Sequence, residues 1–465
     1  MVIVGAGPCG LACARELILL GHRDVLVLES AAIPGGLASS VVDKAGFTWD
    51  RGGHVVFSHY GEFDRLLDDV MSGDVHHHDR SSFVRIADRW VPYPFQNNLH
   101  HLPPDLADEA LIGLVEAQLA IQSDDGSSDA ALLDFGTWME GMFGSGIVRQ
   151  FMRPYNEKVW AQPASAMSAQ WMAERVATVD WRQALRGLVH RSDDVAWGPN
   201  NRFAFPIAGG TGEIYRRLAA NLGCRITYHA TVSTVDAEQR ALCTVDGRRF
   251  EYEHLLWTAP LDRLVGALTS APEELRAASA DLIHNSVTVV GIGYEAPLTD
   301  ERSWLYFPEP DVPFYRATNF AKYAAANVPD ADTDRYCSWM TEIASSEWRP
   351  LPGGEVGDGH PDEASDAALA VRVDSAIRSA GLVAPDATVA SAHVEHLPYG
   401  YPVPTLGRDR ALRTIQPWLM ERGILARGRF GGWKYELGNM DHAVKMGIDA
   451  ARRMALGEDE QAWSL

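Results

Sequence analysis

Three observations predict an α/β fold built in about three parts. Residues 1–30 read as strand, glycine-rich turn, helix and second strand, residues 103–190 carry helical periodicity, and several strand-like runs follow residue 286. The opening is a dinucleotide-binding βαβ unit: residues 2–4 form a short apolar strand, Gly5-Ala6-Gly7-Pro8-Cys9-Gly10 a turn, and a helix runs to about Leu20. Residues 24–28 then read as a strand ending on Glu29. In such a unit Gly5 permits the tight turn, Gly7 lets backbone approach a pyrophosphate, and Gly10 lets the helix pack close to the strand. The helix N-terminus offers unpaired N–H groups and partial positive charge. Glu29 lies nineteen residues after Gly10, where it can accept hydrogen bonds from an adenosine ribose.

With 465 residues the chain has ample material for three domains. Its 46% hydrophobic and 22% charged content is ordinary for a soluble globular protein. Lys plus Arg number 41 and Asp plus Glu 62, giving 41 − 62 = −21. A field of that sign disfavours nucleic acid and anionic membrane as partners, and an anionic substrate would need a local concentration of arginine. The five cysteines (Cys9, Cys13, Cys224, Cys243, Cys337) are scattered and odd in number, which suggests reduced thiols in a cytoplasmic protein. The apolar N-terminus lacks the basic region of a signal peptide, and no apolar run approaches the roughly 20 residues that cross a bilayer. The chain starts unusually close to its first strand, which fits either a tight start or a few absent residues.

Further along, Arg51-Gly52-Gly53-His54 suggests backbone held close to a flat group with His54 beside it. His76-His77-His78 reads as a solvated loop, and His393 and His396 lie three apart in a strand-like run; such side chains rarely converge, so no metal is expected. Residues 83–85 and 90–98 look like a hairpin ending in an aromatic, amide-rich segment. The helical region begins at Pro103-Pro104-Asp105 and carries Leu111, Val115 and Leu119 at spacing four. It contains a turn-rich linker at 122–129 and a break at Pro154, within the polar and aromatic run 151–160. Residues 286–294, 303–308, 314–320, 336–343 and 388–397 read as strands of an antiparallel sheet, and 349–366 as a surface loop.

The double glycine in Glu29-Ser-Ala-Ala-Ile-Pro-Gly35-Gly36-Leu37-Ala38-Ser39 resembles FAD proteins of the amine oxidase and mutase superfamily. Phe205 to Gly212 with the following helix, residues 225–235 and residues 253–260 resemble that superfamily's later Rossmann elements. FAD is therefore the expected cofactor. Over nearly the whole chain, and in the same order, further segments resemble the eukaryotic, fungal-like branch of the UDP-galactopyranose mutases. They are Gly52-Gly53-His54 through Tyr60, Trp90-Val-Pro-Tyr-Pro-Phe-Gln-Asn-Asn98, Met152-Arg-Pro-Tyr-Asn156, Trp197-Gly-Pro-Asn200, Trp304-Leu-Tyr-Phe-Pro308, Pro313-Phe-Tyr-Arg-Ala-Thr318, Gly400-Tyr-Pro402, and Gly428-Arg-Phe-Gly431 through Tyr435-Glu-Leu-Gly-Asn439.

The resemblance implies a discontinuous Rossmann-like FAD-binding domain (1–78, 203–262, 400–465), a helical domain with substrate flaps (100–202) and an antiparallel sheet domain (79–99, 263–399). It implies ring contraction of UDP-galactopyranose to UDP-galactofuranose without net redox, through an adduct between the sugar and N5 of reduced flavin. Arg175 and Arg316 would hold the diphosphate, with Tyr401 and Tyr435 adding hydroxyl donors and His54 next to the flavin. Tyr93, Phe95, Gln96, Asn156 and Trp160 would surround the uridine, Asn200 would sit on a closing flap, and Trp304 and Tyr306 would line the sugar cavity. The cofactor would be held by Gly5, Gly7, Gly10, Glu29, Gly36, Leu37, Gly53, Arg429, Gly438 and Asn439. Arg80 and Ser82, together with Arg429, match the positions that carry the activating reductant, NADPH or NADH.

Glu157 departs from the fungal pattern beside the presumed uridine pocket, where an apolar aromatic residue is expected. Other readings remain open at this stage: the same chemistry on another nucleotide sugar, a flavin amine oxidase or desaturase, and a non-catalytic nucleotide-sugar sensor. A homo-oligomer is left open as well.

Overall fold

A computed structural model of the chain describes residues 1–123, 134–172, 179–195, 201–351 and 362–465. Five short parallel strands form its dinucleotide-binding sheet, in the order Ile424–Ala426, Leu255–Trp257, Val2–Val4, Leu26–Leu28, Arg225–Thr227. Their residues alternate between two apolar cores, as a sheet covered on both faces requires. Ile3, Val27, Leu256 and Leu425 pack with helices Pro8–Leu19 and Met440–Leu456, whereas Val2, Val4, Leu255 and Trp257 pack with Leu261–Ala267 and Arg408–Glu421.

Helices Pro8–Leu19 and Met440–Leu456 run side by side in the same direction: Gly447 sits over Cys9, and Arg452 Nε lies 2.8 Å from Glu16 Oε1. The glycines of the opening turn are not equivalent. A Cβ on Gly10 would lie 1.9 Å from the carbonyl oxygen of Gly5, whereas one on Gly7 would meet nothing nearer than Gly35 O at 3.9 Å. Gly10→Ala should therefore clash within the protein and cost about 1–3 kcal/mol of stability, lowering the Tm. Gly7→Val should leave the fold intact and lose flavin, because its side chain enters the space a pyrophosphate needs. Flavin absorbance and Tm measured on the two variants separate these outcomes.

Two parts of the predicted nucleotide-binding unit differ from expectation. The 225–235 run is divided between the parallel sheet and a separate antiparallel sheet of Val232–Asp236, Ala241–Thr244 and Arg249–Glu251. The segment before helix Gly212–Asn221 is strand Arg202–Pro206, which pairs antiparallel with Val75–Asp79. His76-His77-His78 is therefore strand and not loop; the partner strand satisfies its backbone, and His78 Nε2 bonds the carbonyl of Tyr323 at 2.8 Å.

A seven-stranded sheet forms the second body, in the order Thr388–Leu397, Ser286–Glu295, Tyr336–Ser345, Arg316–Asn319, Trp304–Tyr306, Ser82–Ile86, Arg89–Pro92. It is antiparallel except where Trp304–Tyr306 runs parallel to Ser82–Ile86, the point at which the early hairpin joins the later strands. Gly291 and Gly293 keep strand Ser286–Glu295 bare for Trp49 and Phe47: a Cβ there would meet those rings at 2.4 and 2.5 Å. This seats the Thr48–Asp50 strand against the sheet and aims the following Gly52-Gly53-His54 at the sheet's charged centre.

The helical body contains Pro104–Ser123, Phe135–Ile147 and Trp181–His190. Pro154 does not end its helix. A π-helical turn, Val148–Met152, runs straight into Arg153–Trp160 with Pro154 in the first turn, and Asn156 Nδ2 donates to the carbonyl of Met152 at 2.7 Å. The predicted 349–366 loop ends early: Asp362 accepts from Ser365 N at 2.8 Å and starts helix Glu363–Ser379. No helix among the described residues is long and apolar enough to cross a membrane.

Candidate active site

Where the three bodies meet, they enclose a cavity of about 1090 Å³. That is at the top of the range of about 300–1,000 Å³ for small-molecule sites, so it has room for a large ligand. Its wall carries Arg51, Arg80, Arg316 and Arg429 against Glu342 and Glu436, an excess of positive charge in a chain of net charge −21.

The centre is a buried ion pair made by strand register. Arg316 lies directly opposite Glu342 on the neighbouring strand. Arg316 Nε donates to Glu342 Oε1 at 2.7 Å, and a second guanidinium nitrogen bonds Oε2. Tyr315 OH donates to Oε2 at 2.7 Å and the Gly53 N–H to Oε1 at 2.8 Å, so one carboxylate fixes the arginine and the glycine loop together. Burial would raise the Glu342 carboxyl, but the Arg316 charge and these donors hold it below its ordinary range. Burial likewise opposes charge on Arg316, and Glu342 raises its pKa well above normal.

Around this pair the remaining wall is aromatic and hydroxylic. Arg316 lies over the Trp304 ring at 4.5 Å and Arg80 over the same ring at 4.9 Å. Arg80 also donates to Tyr306 OH and Ser82 Oγ, each at 3.0 Å. Tyr401 OH stands 3.4 Å from Arg316, Tyr435 packs edge-on to Trp160 at 4.6 Å, and Tyr93 meets Tyr306 at 5.0 Å. Arg429 is set by the carbonyls of Gly438 and Gly400 at 3.0 and 3.4 Å.

His54 is enclosed, and its Nδ1 has no partner among the described residues. Burial, then Arg429, with Glu342 opposing and Arg316 adding, pushes its pKa down to about 3. An unfolded histidine titrates at about 6.5. Its contribution is therefore fully present above pH 6.5 and is lost as pH falls from there towards 3. Acid denaturation curves of His54→Leu should be flatter than wild type across that window; identical curves would mean that the imidazole is not held neutral.

Of the residues singled out from sequence, His54, Leu37, Gly53, Arg80, Tyr93, Asn156, Trp160, Trp304, Tyr306, Arg316, Tyr401, Arg429, Tyr435 and Asn439 line the cavity. Phe95 and Gln96 lie behind the wall, Phe95 packing on Phe151 at 5.1 Å; Ser82 reaches the site through Arg80, and Gly438 through Arg429. Arg175 and Asn200 lie outside the described residues. Glu157 faces away, accepting from Ala164 N at 3.3 Å, so its departure from the fungal pattern does not alter the cavity.

Sequence reasoning missed Glu342, Tyr155, Arg51, and the His59 and His442 rings held by Asp441 at the cavity. A lone glutamate in the apolar strand 336–345 was a usable signal for Glu342, since an unpaired buried carboxylate is costly.

The residues present fit FAD. Glu29 is buried at its strand end and accepts from Ala6 N at 2.7 Å and Ala31 N at 2.8 Å, which holds its carboxylate at the dinucleotide turn. Gly7 and Gly36 face each other across space that a Cβ on either would begin to fill. The N-terminal end of helix Met440–Leu456 brings Asn439, Met440 and His442 to the cavity wall.

The sequence profile of the flavin-containing amine oxidoreductases matches residues 8–455. A crystal structure of reduced UDP-galactopyranose mutase superposes with TM-score 0.91 and 35% identity, over 99% of this chain and 95% of that one. The chain belongs to the flavin-containing amine oxidoreductase family, on its UDP-galactopyranose mutase branch. UDP-galactopyranose mutase is an FAD-dependent isomerase, and the match places this chain with that enzyme class.

Cyclohexylamine oxidase from Brevibacterium oxydans shares the wider fold, with TM-score 0.64 and 18% identity over 98% of each chain. Zeta-carotene desaturase from Capsicum annuum is 40% identical over 70 residues only, 15% of this chain and 12% of that protein. Such a short match reflects a shared segment and not a shared substrate. Membership of the mutase branch accounts for a cavity rich in arginine and tyrosine where an amine oxidase or desaturase would need an apolar tunnel.

Proposed function

We propose that the protein interconverts UDP-galactopyranose and UDP-galactofuranose without net redox. The observation that carries this reading is the Arg316–Glu342 pair, fixed to Gly53 and reaching Tyr401. It fixes the guanidinium of Arg316, with N–H donors still to offer, in the cavity wall against the loop that the resemblance puts at the flavin.

Reduced FAD, when bound, supplies the nucleophile for the anomeric carbon, its N5. The rest falls to this chain's own residues. Arg316, joined by Arg175, holds the diphosphate and stabilises charge on departing UDP, with Tyr401 and Tyr435 donating to phosphate oxygens. Trp304 and Tyr306 shape the sugar space. Tyr93, Asn156 and Trp160 face the uridine, backed by Phe95 and Gln96, and Asn200 closes over it. His54 stays neutral and orients at the flavin. Arg80, Ser82 and Arg429 take NADPH or NADH as the activating reductant.

In this reading segments 1–78, 203–262 and 400–465 carry the cofactor, 100–202 the closing flaps, and 79–99 with 263–399 the floor. The protein works in the cytoplasm on a soluble nucleotide sugar. Anaerobic incubation of reduced protein with UDP-galactofuranose should yield UDP-galactopyranose, followed by chromatography. Turnover of another nucleotide sugar alone would reassign the substrate, and no turnover of any would sink the proposal.

A further inference from the structure

Away from the cavity, the turn after the amide-rich segment brings two imidazoles onto one carboxylate. His100 and His101 close the short turn Leu99–His101, and their Nε2 atoms lie 3.0 and 2.6 Å from the same oxygen, Oδ1 of Asp193. Asp193 belongs to the loop that leaves helix Trp181–His190. The two rings are 4.2 Å apart. The His100 side chain is 8% exposed, and its Nδ1 has no partner among the described residues.

The arrangement does not depend on this contact for its position. One residue beyond Asp193, Asp194 is clamped by the buried side chain of Asn98: Asn98 Nδ2 donates to Asp194 O at 2.9 Å and Asn98 Oδ1 accepts from Asp194 N at 2.8 Å. The same Nδ2 also bonds the carbonyls of Pro92 and Pro94 at 3.2 and 3.0 Å. A Cβ on Gly187 would lie 3.1 Å from Asn97 O, so the helix rests directly on the turn. Both ligand-bearing segments are thereby held in register by groups that are not ligands, which is the preorganisation a metal site requires.

We propose that His100 Nε2, His101 Nε2 and the Asp193 carboxylate form a binding site for a divalent transition cation of the zinc type, with water in the fourth position. Two imidazole nitrogens and a carboxylate oxygen match that class. Bonds of about 2.0–2.1 Å in a tetrahedron place ligand atoms roughly 3.3 Å apart, so each Nε2–Oδ1 separation must open by only some tenths of an ångström. Each ring then carries its proton on Nδ1 and offers the Nε2 lone pair to the cation. Arg191 opposes the added charge, and the Asp193 carboxylate offsets it. Bound there, the cation clasps the exit of helix Trp181–His190 to the Leu99–His101 turn.

The test uses the flavin-loaded full chain, freed of metal with a chelator, then titrated with Zn²⁺ by calorimetry and with Co²⁺ by visible absorption. One tight equivalent is expected, with tetrahedral cobalt bands and no thiolate charge-transfer band. Zn²⁺ should raise the Tm of wild type. His101→Ala and Asp193→Asn should each weaken binding at least about tenfold, while flavin content and metal-free Tm stay at wild-type values. His76→Ala with His77→Ala, on the exposed strand, should leave binding unchanged. Absence of a tight equivalent, a thiolate band, or binding that survives the combined His101→Ala and Asp193→Asn change would overturn the assignment.

Discussion

Arg316→Ala is expected to lower UDP affinity about tenfold to a hundredfold and to slow turnover further, while also destabilising the protein. The affinity loss follows from removing a charge-assisted contact, about 1.5–3 kcal/mol. Turnover should fall beyond it because charge on departing UDP peaks in the transition state, where a fixed guanidinium acts most strongly. The stability loss has a separate origin: the side chain of Glu342 is 3% exposed and would lose its counter-charge. Breaking a buried pair from one side costs about 3–5 kcal/mol.

Those two effects can be separated. Adding Glu342→Gln to Arg316→Ala should restore most of the Tm, since the orphaned charge is gone, but none of the UDP affinity. Calorimetric UDP binding and Tm on wild type, single and double variants give the comparison. Wild-type UDP affinity in Arg316→Ala would remove Arg316 from the diphosphate site, and recovery of affinity in the double variant would make its role purely structural.

Much of this site was legible in the sequence because its residues sit in contiguous motifs. Phe314-Tyr315-Arg316, Trp304-Leu305-Tyr306 and Gly52-Gly53-His54 each carry a local pattern and meet in space. What joins them is register across strands. Glu342 opposes Arg316 only because the strands pair in one alignment, and nothing local in residues 336–345 announces that. The same limit explains the missed edge strand Ile424–Ala426, three residues recognisable only beside Leu255–Trp257. It also explains the histidines at 76–78, whose polar sequence reads as loop until Arg202–Pro206 supplies the partner.

Pro154 teaches a different lesson. Proline removes one N–H, but here it falls in the first turn of Arg153–Trp160, directly after a π-turn, where the lost donor is tolerated and the helix continues. Asn156 is also a cavity residue. The apparent break is thus where the helix turns polar side chains towards the site.

Turnover is expected to depend entirely on the redox state of the protein, being absent when it is oxidised and present once dithionite or NADPH has reduced it anaerobically. The cavity's charge supports this. His54 is held neutral, so the cations on this side of the site are guanidinium groups, Arg429 and the Arg316 that Glu342 holds in place, and not an imidazolium. Fixed cations of that kind stabilise the extra negative charge of a reduced flavin and of the leaving UDP together, without a proton that must come and go. Because no electrons leave with the product, many sugars should be converted per NADPH oxidised. Following NADPH absorbance and product by chromatography in one anaerobic reaction measures that ratio. One NADPH consumed per sugar, with an oxidised or reduced sugar as product, would instead assign the chain to the oxidoreductase chemistry of its wider family. Conversion by fully oxidised protein would remove the reduced flavin from the reaction altogether, leaving the arginine and tyrosine wall as the whole catalyst.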